Sequence, residues 1–205
     1  MQSTSQDIVK NAAVQWELTV ARFEEWSRYV FHFKWWLLLA VFILSALIWW
    51  KLIDKSKLVE IVVFTGITCI IVLALDELGE ELTLWDYPIE LIPLFPPISS
   101  IDLASLPMIY SLIYQYFYTW KSFAIASFIF SVFSCFVFEP LFVLVGIYQM
   151  ITWKSYYGLP IYFAIALFSK GAVALMSRIE KNINHNNLSR PSGIQAFSGR
   201  PFQRR

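Results

Sequence analysis

The segment from Lys34 to Lys51 constrains this chain most. It places sixteen uncharged residues between two lysines, with Trp35 and Trp36 at one end and Trp49 and Trp50 at the other. The two pairs lie about 14 residues apart, which is roughly 21 Å of helix at ~1.5 Å per residue. Indole rings settle at the headgroup level of a bilayer, and lysine heads snorkel past them into water. The segment is therefore predicted to be a membrane span.

The composition fits a lipid solvent. Of the 205 residues, 58% are hydrophobic and 15% charged, with mean hydropathy +0.56. A soluble domain carries about 45–50% apolar and about 25% charged residues. The apolar excess lies in long blocks, which predicts one all-α integral membrane bundle with five transmembrane helices at 35–53, 58–75, 103–120, 123–147 and 156–176. Each is of the length that a hydrocarbon core ~30 Å thick requires. Ahead of them, residues 1–34 are expected to form an amphipathic helix. Val9, Ala13, Trp16, Val20, Phe23, Val30 and Phe33 recur at helical spacing, while Lys10, Glu17, Glu24 and Arg28 avoid that stripe. This part has no apolar core of the kind a secretory signal needs.

Ile89 to Ile98 is apolar but too short to cross, and Pro93, Pro96 and Pro97 break any continuous helix there. A re-entrant or interfacial hairpin is expected. The bundle is assigned to 35–180, and the tail 181–205, rich in Asn, Ser, Gly, Pro and Arg, is expected to be disordered. Its arginines are placed to meet anionic lipid. The loop from Lys51 to Lys57 has three lysines against Asp54, whereas 76–90 has six acids and no base. By the positive-inside rule, the first loop and the C-terminus are cytoplasmic, and 76–90 and the N-terminus lie outside a bacterial cytoplasmic membrane.

Charges inside spans are costly and are read as functional by default. Glu139 sits within the fourth expected span, and Pro140 beside it frees the carbonyl of Phe136. Depth along the helices predicts a polar knot of Glu139 with Tyr110 and Gln115, and it places Lys170 too far towards the inner face to pair with Glu139. Helix glue and a binding or proton-handling site are the two readings of that knot. Trp85, Asp86, Tyr87 and Glu90, with Asp102 beyond, form a second set, read as an outer-face rim for a cation or a docking partner. Tyr114-Gln115 before Trp120-Lys121, and Tyr148-Gln149 before Trp153-Lys154, echo one another and are read as span-end anchors. His32 and His185 are solitary, Cys69 and Cys135 lie in apolar spans, and no metal or cofactor motif occurs in the sequence. No nucleic-acid partner is expected at a net charge of +1.

Trp85-Asp-Tyr-Pro88, Asp102, Leu106-Pro107, Tyr114-Gln-Tyr-Phe117, Glu139-Pro-Leu141, Gly146-Ile-Tyr148 and Leu159-Pro-Ile-Tyr162 form a string of motifs. The string resembles an uncharacterised family of small multispan proteins of endospore-forming Gram-positive bacteria, and the resemblance implies no stated activity. Asp76, Trp85 with Tyr87, and Leu106-Pro107 also resemble the membrane-bound lycopene cyclase domain, which implies an acid pair just after Leu-Pro. Met108-Ile109 stands there in this chain.

Three functions follow as expectations. The first is a non-enzymatic accessory or assembly component, sporulation-linked, working with another membrane protein or a second copy. The second is a small-solute or proton-coupled carrier or binder centred on Glu139. The third is an intramembrane enzyme acting on an isoprenoid or lipid. A lipid-accessible cavity with at least two carboxyls would mark the third.

Overall fold

A computed structural model describes residues 5–92 and 106–188, with backbone alone for 184–188. The helices in chain order are α1 (Ser5–Tyr29), α2 (Phe33–Leu52), α3 (Leu58–Glu81), α4 (Leu106–Tyr116), α5 (Trp120–Phe133), α6 (Glu139–Val145) and α7 (Ser155–Leu188). Two short strands, β1 (Trp85–Asp86) and β2 (Gln149–Met150), pair antiparallel, with Trp85 opposite Met150 and Asp86 opposite Gln149.

Four stretches are long and apolar enough to cross a membrane: Phe33–Leu52, Lys55–Glu81, Trp120–Val145 and Ser155–Ile183. The protein is thus a helical membrane protein. α2 shows most directly why lipid is its solvent. It is apolar on every side yet buries only Leu38, leaving Trp36, Leu44, Leu47 and Trp50 exposed. A helix apolar all round needs a core or a bilayer around it, and no core surrounds this one.

The third expected span, 103–120, differs. Its described part is the 11-residue α4, about 16 Å long at ~1.5 Å per residue, which is short of a crossing. The helix stops at Tyr116, and a new one starts at Trp120 with Thr119 as N-cap, its hydroxyl accepting from Ser122 N–H at 3.2 Å. Residues 101–105 lie outside the described residues, as do Asp102, Pro93, Pro96 and Pro97 and hence most of the expected 89–98 hairpin.

Two other boundaries move. α3 runs on to Glu81, so Asp76, Glu77, Glu80 and Glu81 are helical rather than loop residues. Its apolar periodicity simply continues past 75. α7 reaches Leu188, well into the tail expected to be disordered from 181. The fourth span also changes winding. A π-helical turn at Ser134–Phe138 joins α5 to α6, so the break expected at Glu139-Pro140 becomes a wider turn within a continuous rod. The rod ends at Gly146, whose φ of 71° supplies the left-handed cap.

Between helices, small polar residues make the contacts. Thr68 of α3 donates to Ser169 of α7 at 3.0 Å, Tyr110 of α4 and Ser131 of α5 share a 2.8 Å bond, and Trp49 of α2 donates to Ser111 of α4 at 2.7 Å. Lipid tails are as apolar as leucine, so such bonds and close packing hold helices together where the hydrophobic effect does not. The core they bracket includes Phe64, Val72, Leu106, Tyr110, Phe123 and Ile165.

Candidate functional site

α3 presents one buried stripe: Ile61, Phe64, Thr68, Val72, Asp76, then Gly79 and Glu80. The spacing of three and four keeps Asp76 on the face that packs inward. There it is 7% exposed, and its Oδ1 accepts from Trp85 Nε1 at 3.1 Å and from Tyr87 hydroxyl at 2.8 Å. Trp85 and Tyr87, expected on an outer rim, instead fold back over the helix end. Trp85 lies against Gly79, where a Cβ would fall inside the indole ring, so a side chain at 79 excludes this arrangement. β1–β2 fixes the return, and Leu84 O accepts from Ile151, Thr152 and Trp153 N–H at 3.0 Å each.

Glu139 approaches from the other side. It follows the π-helical turn, is 6% exposed, and its Oε1 accepts from Tyr162 hydroxyl of α7 at 2.7 Å. Its Oε2 makes no hydrogen bond among the described residues. π turns often sit at functional sites because the extra residue re-aims one side chain. Gly158 of α7 makes room, since a Cβ there would come within 3.1 Å of Glu139 Oε1 and 3.2 Å of Cys135 Sγ.

Asp76 and Glu139 both line one cavity of about 180 Å³. Its wall is otherwise mostly apolar and aromatic, with Val72, Phe130, Phe138, Ile161 and Ile165 from the helices and Tyr148 and Trp153 near β2. Leu78 and Leu82 also line it and are 53% and 58% exposed, so the mouth opens beside the end of α3. Among the described residues no lysine, arginine or histidine lines it.

The other expected site residues fall elsewhere. Tyr110 and Gln115 do not join Glu139. Tyr110 bonds Ser131, and Gln115 caps the Lys-rich turn, accepting from Asp54 N–H at 2.7 Å and donating to Leu52 O at 3.1 Å. Both faced Glu139 in depth, but the rotation of α4 about its axis turns them to other neighbours. Lys170 is likewise apart from Glu139. It donates to Tyr118 O at 2.9 Å and Phe117 O at 3.2 Å, capping the end of α4, with Phe123 ring 4.3 Å away. Tyr114 of that same end bonds Glu60.

Asp86 is exposed in the ladder. Glu90 is half-buried, and its burial pushes the carboxyl up to about 7, with Arg22 opposing and Asp86, Asp76 and Glu77 reinforcing. Arg22 belongs to α1, which is tied down where Trp26 Nε1 and Trp35 Nε1 both donate to Leu91 O at 3.3 Å.

Sequence reasoning missed Tyr162 and Gly158 as site residues, and apart from the cyclase resemblance it counts Asp76 with the acidic loop. The repeat of Asp76, Gly79 and Glu80 at helical spacing was the available signal for Asp76. For Gly158 there was none short of knowing which helices touch. Among the described residues no group of His, Cys, Asp and Glu is arranged to hold a metal ion. No known protein family, curated protein or solved structure matches this chain.

Proposed function

We propose that this membrane protein holds one end of an apolar, lipid-like molecule in the cavity between α3, the π-helical turn and α7. A single observation carries the reading: a greasy cavity whose wall bears two buried carboxyls, Asp76 and Glu139. A cavity of about 150 Å³ lined by apolar groups takes up a molecule the size of benzene. The volume here suits a polar end group and the first carbons behind it, with the tail leaving past Leu78 and Leu82 into lipid. This is the binder reading, extended from Glu139 alone to a pair. Because two carboxyls share one cavity, acid–base turnover of the bound lipid is the second reading.

The site needs a topology, and we infer five membrane segments of alternating direction, four long enough to cross and α4 shorter over its described part, with the cavity in the outer half of a bacterial cytoplasmic membrane. Gln115 ties the end of α4 to the lysine loop between α2 and α3. β1–β2 ties the acidic loop to the one before α7, and Trp35 at the start of α2 reaches that same end. Successive segments thus alternate in direction, and the lysines mark the cytoplasmic end.

Native mass spectrometry of protein purified in a mild detergent tests the binding role. We expect a co-purifying amphiphile that Ile161→Trp, which fills the cavity, displaces while the variant remains folded. Retention of the same amphiphile by the filled, folded variant would refute the reading.

A further inference from the structure

We infer that the cavity selects an ammonium end group, at the tip of an alkyl chain, over a neutral or anionic one. The inference rests on the binding role proposed above and adds the chemistry of what is bound. Its wall carries two carboxyls and no basic side chain. Arg22 acts on Glu77, Glu80 and Glu90 and, like Lys34 on the carbonyl of Val145, does not line the cavity.

Two further observations point to a cation rather than to mutual solvation of the acids. Glu139 is more than nine-tenths buried on the cavity wall, and its Oε2 is left without a well-formed hydrogen bond among the described residues, the Ser155 hydroxyl being the one donor nearby besides Tyr162. A buried acceptor with no partner is destabilising, and an N–H from a ligand would offset that. The second is the aromatic lining. Trp85 and Trp153 meet edge to face at 4.8 Å, Tyr87 lies 5.3 Å from Tyr148, and all four line the cavity. Ring faces beside carboxylates are the standard receptor for an ammonium group. A carboxylate or phosphate head would face two carboxyls with no basic side chain among the described lining residues to pair with it. An alcohol offers one donor, whereas an ammonium offers three and a full charge.

The same chemistry could arrive as a membrane amphiphile or as a small water-soluble amine, and chain length separates the two. Dodecylamine, dodecanol, dodecanoate and butylamine would be titrated at matched mole fraction into protein in neutral maltoside micelles, reading thermal shift. The expected result is an apparent affinity for dodecylammonium about tenfold above that for dodecanol, equivalent to roughly 1.4 kcal/mol. Dodecanoate and butylamine should give no shift; a butylamine shift equal to that of dodecylamine would overturn the alkyl-chain part. Glu139→Gln, whose amide oxygen still accepts from Tyr162, should bring dodecylamine down to the level of dodecanol. This also removes any effect of micelle charge from the comparison. Equal binding of dodecanol and dodecylamine by the native protein would overturn the ammonium inference and leave the binding role standing. No shift with any of the four would overturn both.

Discussion

The packing of Trp85 on Gly79 gives the sharpest test of the site's construction. In Gly79→Ala the new Cβ has no room beside the indole ring, so Trp85 must leave or the helix must shift. Alanine favours the helix by about 1 kcal/mol. Against that, overpacking costs about 1–3 kcal/mol. Losing the bond from Trp85 to the Asp76 carboxyl costs about 1.5–3 kcal/mol more. The balance is a net loss of about 1.5–5 kcal/mol, or about 3–20 °C in Tm for a chain of this size. Gly66 supplies the control on the same helix, because a Cβ there meets nothing within 4 Å. Gly66→Ala should be neutral or raise Tm. Thermal unfolding of both variants in one detergent, followed by tryptophan fluorescence, reads the contrast. If Gly79→Ala is as stable as Gly66→Ala, the stacked arrangement that builds the cavity mouth is wrong.

Other predictions concern the surroundings. Lys170→Met should cost about 2–3 kcal/mol by uncapping the carbonyls at the end of α4, visible in thermal melts; an unchanged Tm would refute the capping role. Thr83 holds a left-handed φ of 51° on the loop that carries Trp85. Thr83→Asn should relieve about 0.5–1 kcal/mol of strain, and a lower Tm would contradict this. Glu90 should make stability fall as pH rises. Its folded carboxyl titrates near 7 against 4.5 when unfolded, so the native state holds a proton that the unfolded chain releases, and the penalty is complete above pH 7. Glu90→Gln should therefore be more stable than the parent above pH 7 and equal to it below pH 4.5, and identical melting curves at pH 8 would refute the assignment.

The sequence made the membrane legible because a bilayer imposes a length and a flanking pattern on each segment. Trp35, Trp36, Trp49 and Trp50 therefore marked α2 to within a few residues. Charge marked Glu139 as the expensive residue of its span. Rotation about helix axes was not legible. Depth alone put Tyr110 and Gln115 level with Glu139, while the pairing with Tyr162 depends on which face α7 turns inward and on Gly158 letting it approach. Asp76 was hidden by its neighbourhood. Six acids between 76 and 90 read as a solvated loop, although the helical stripe running from Phe64 through Val72 continues into Asp76, Gly79 and Glu80. The inward fold of Trp85 and Tyr87 follows only once that stripe and β2 are placed together.

Photo-crosslinking in native membranes bears most directly on the claim that Asp76 and Glu139 share one ligand cavity. A long-chain alkylamine carrying a diazirine near its nitrogen would be irradiated and the labelled peptides sequenced. The account predicts labels on both walls, in residues 72–87 and 130–165, competed away by dodecylamine. Labels confined to the exposed faces of α1 and α2, and insensitive to competitor, would contradict it.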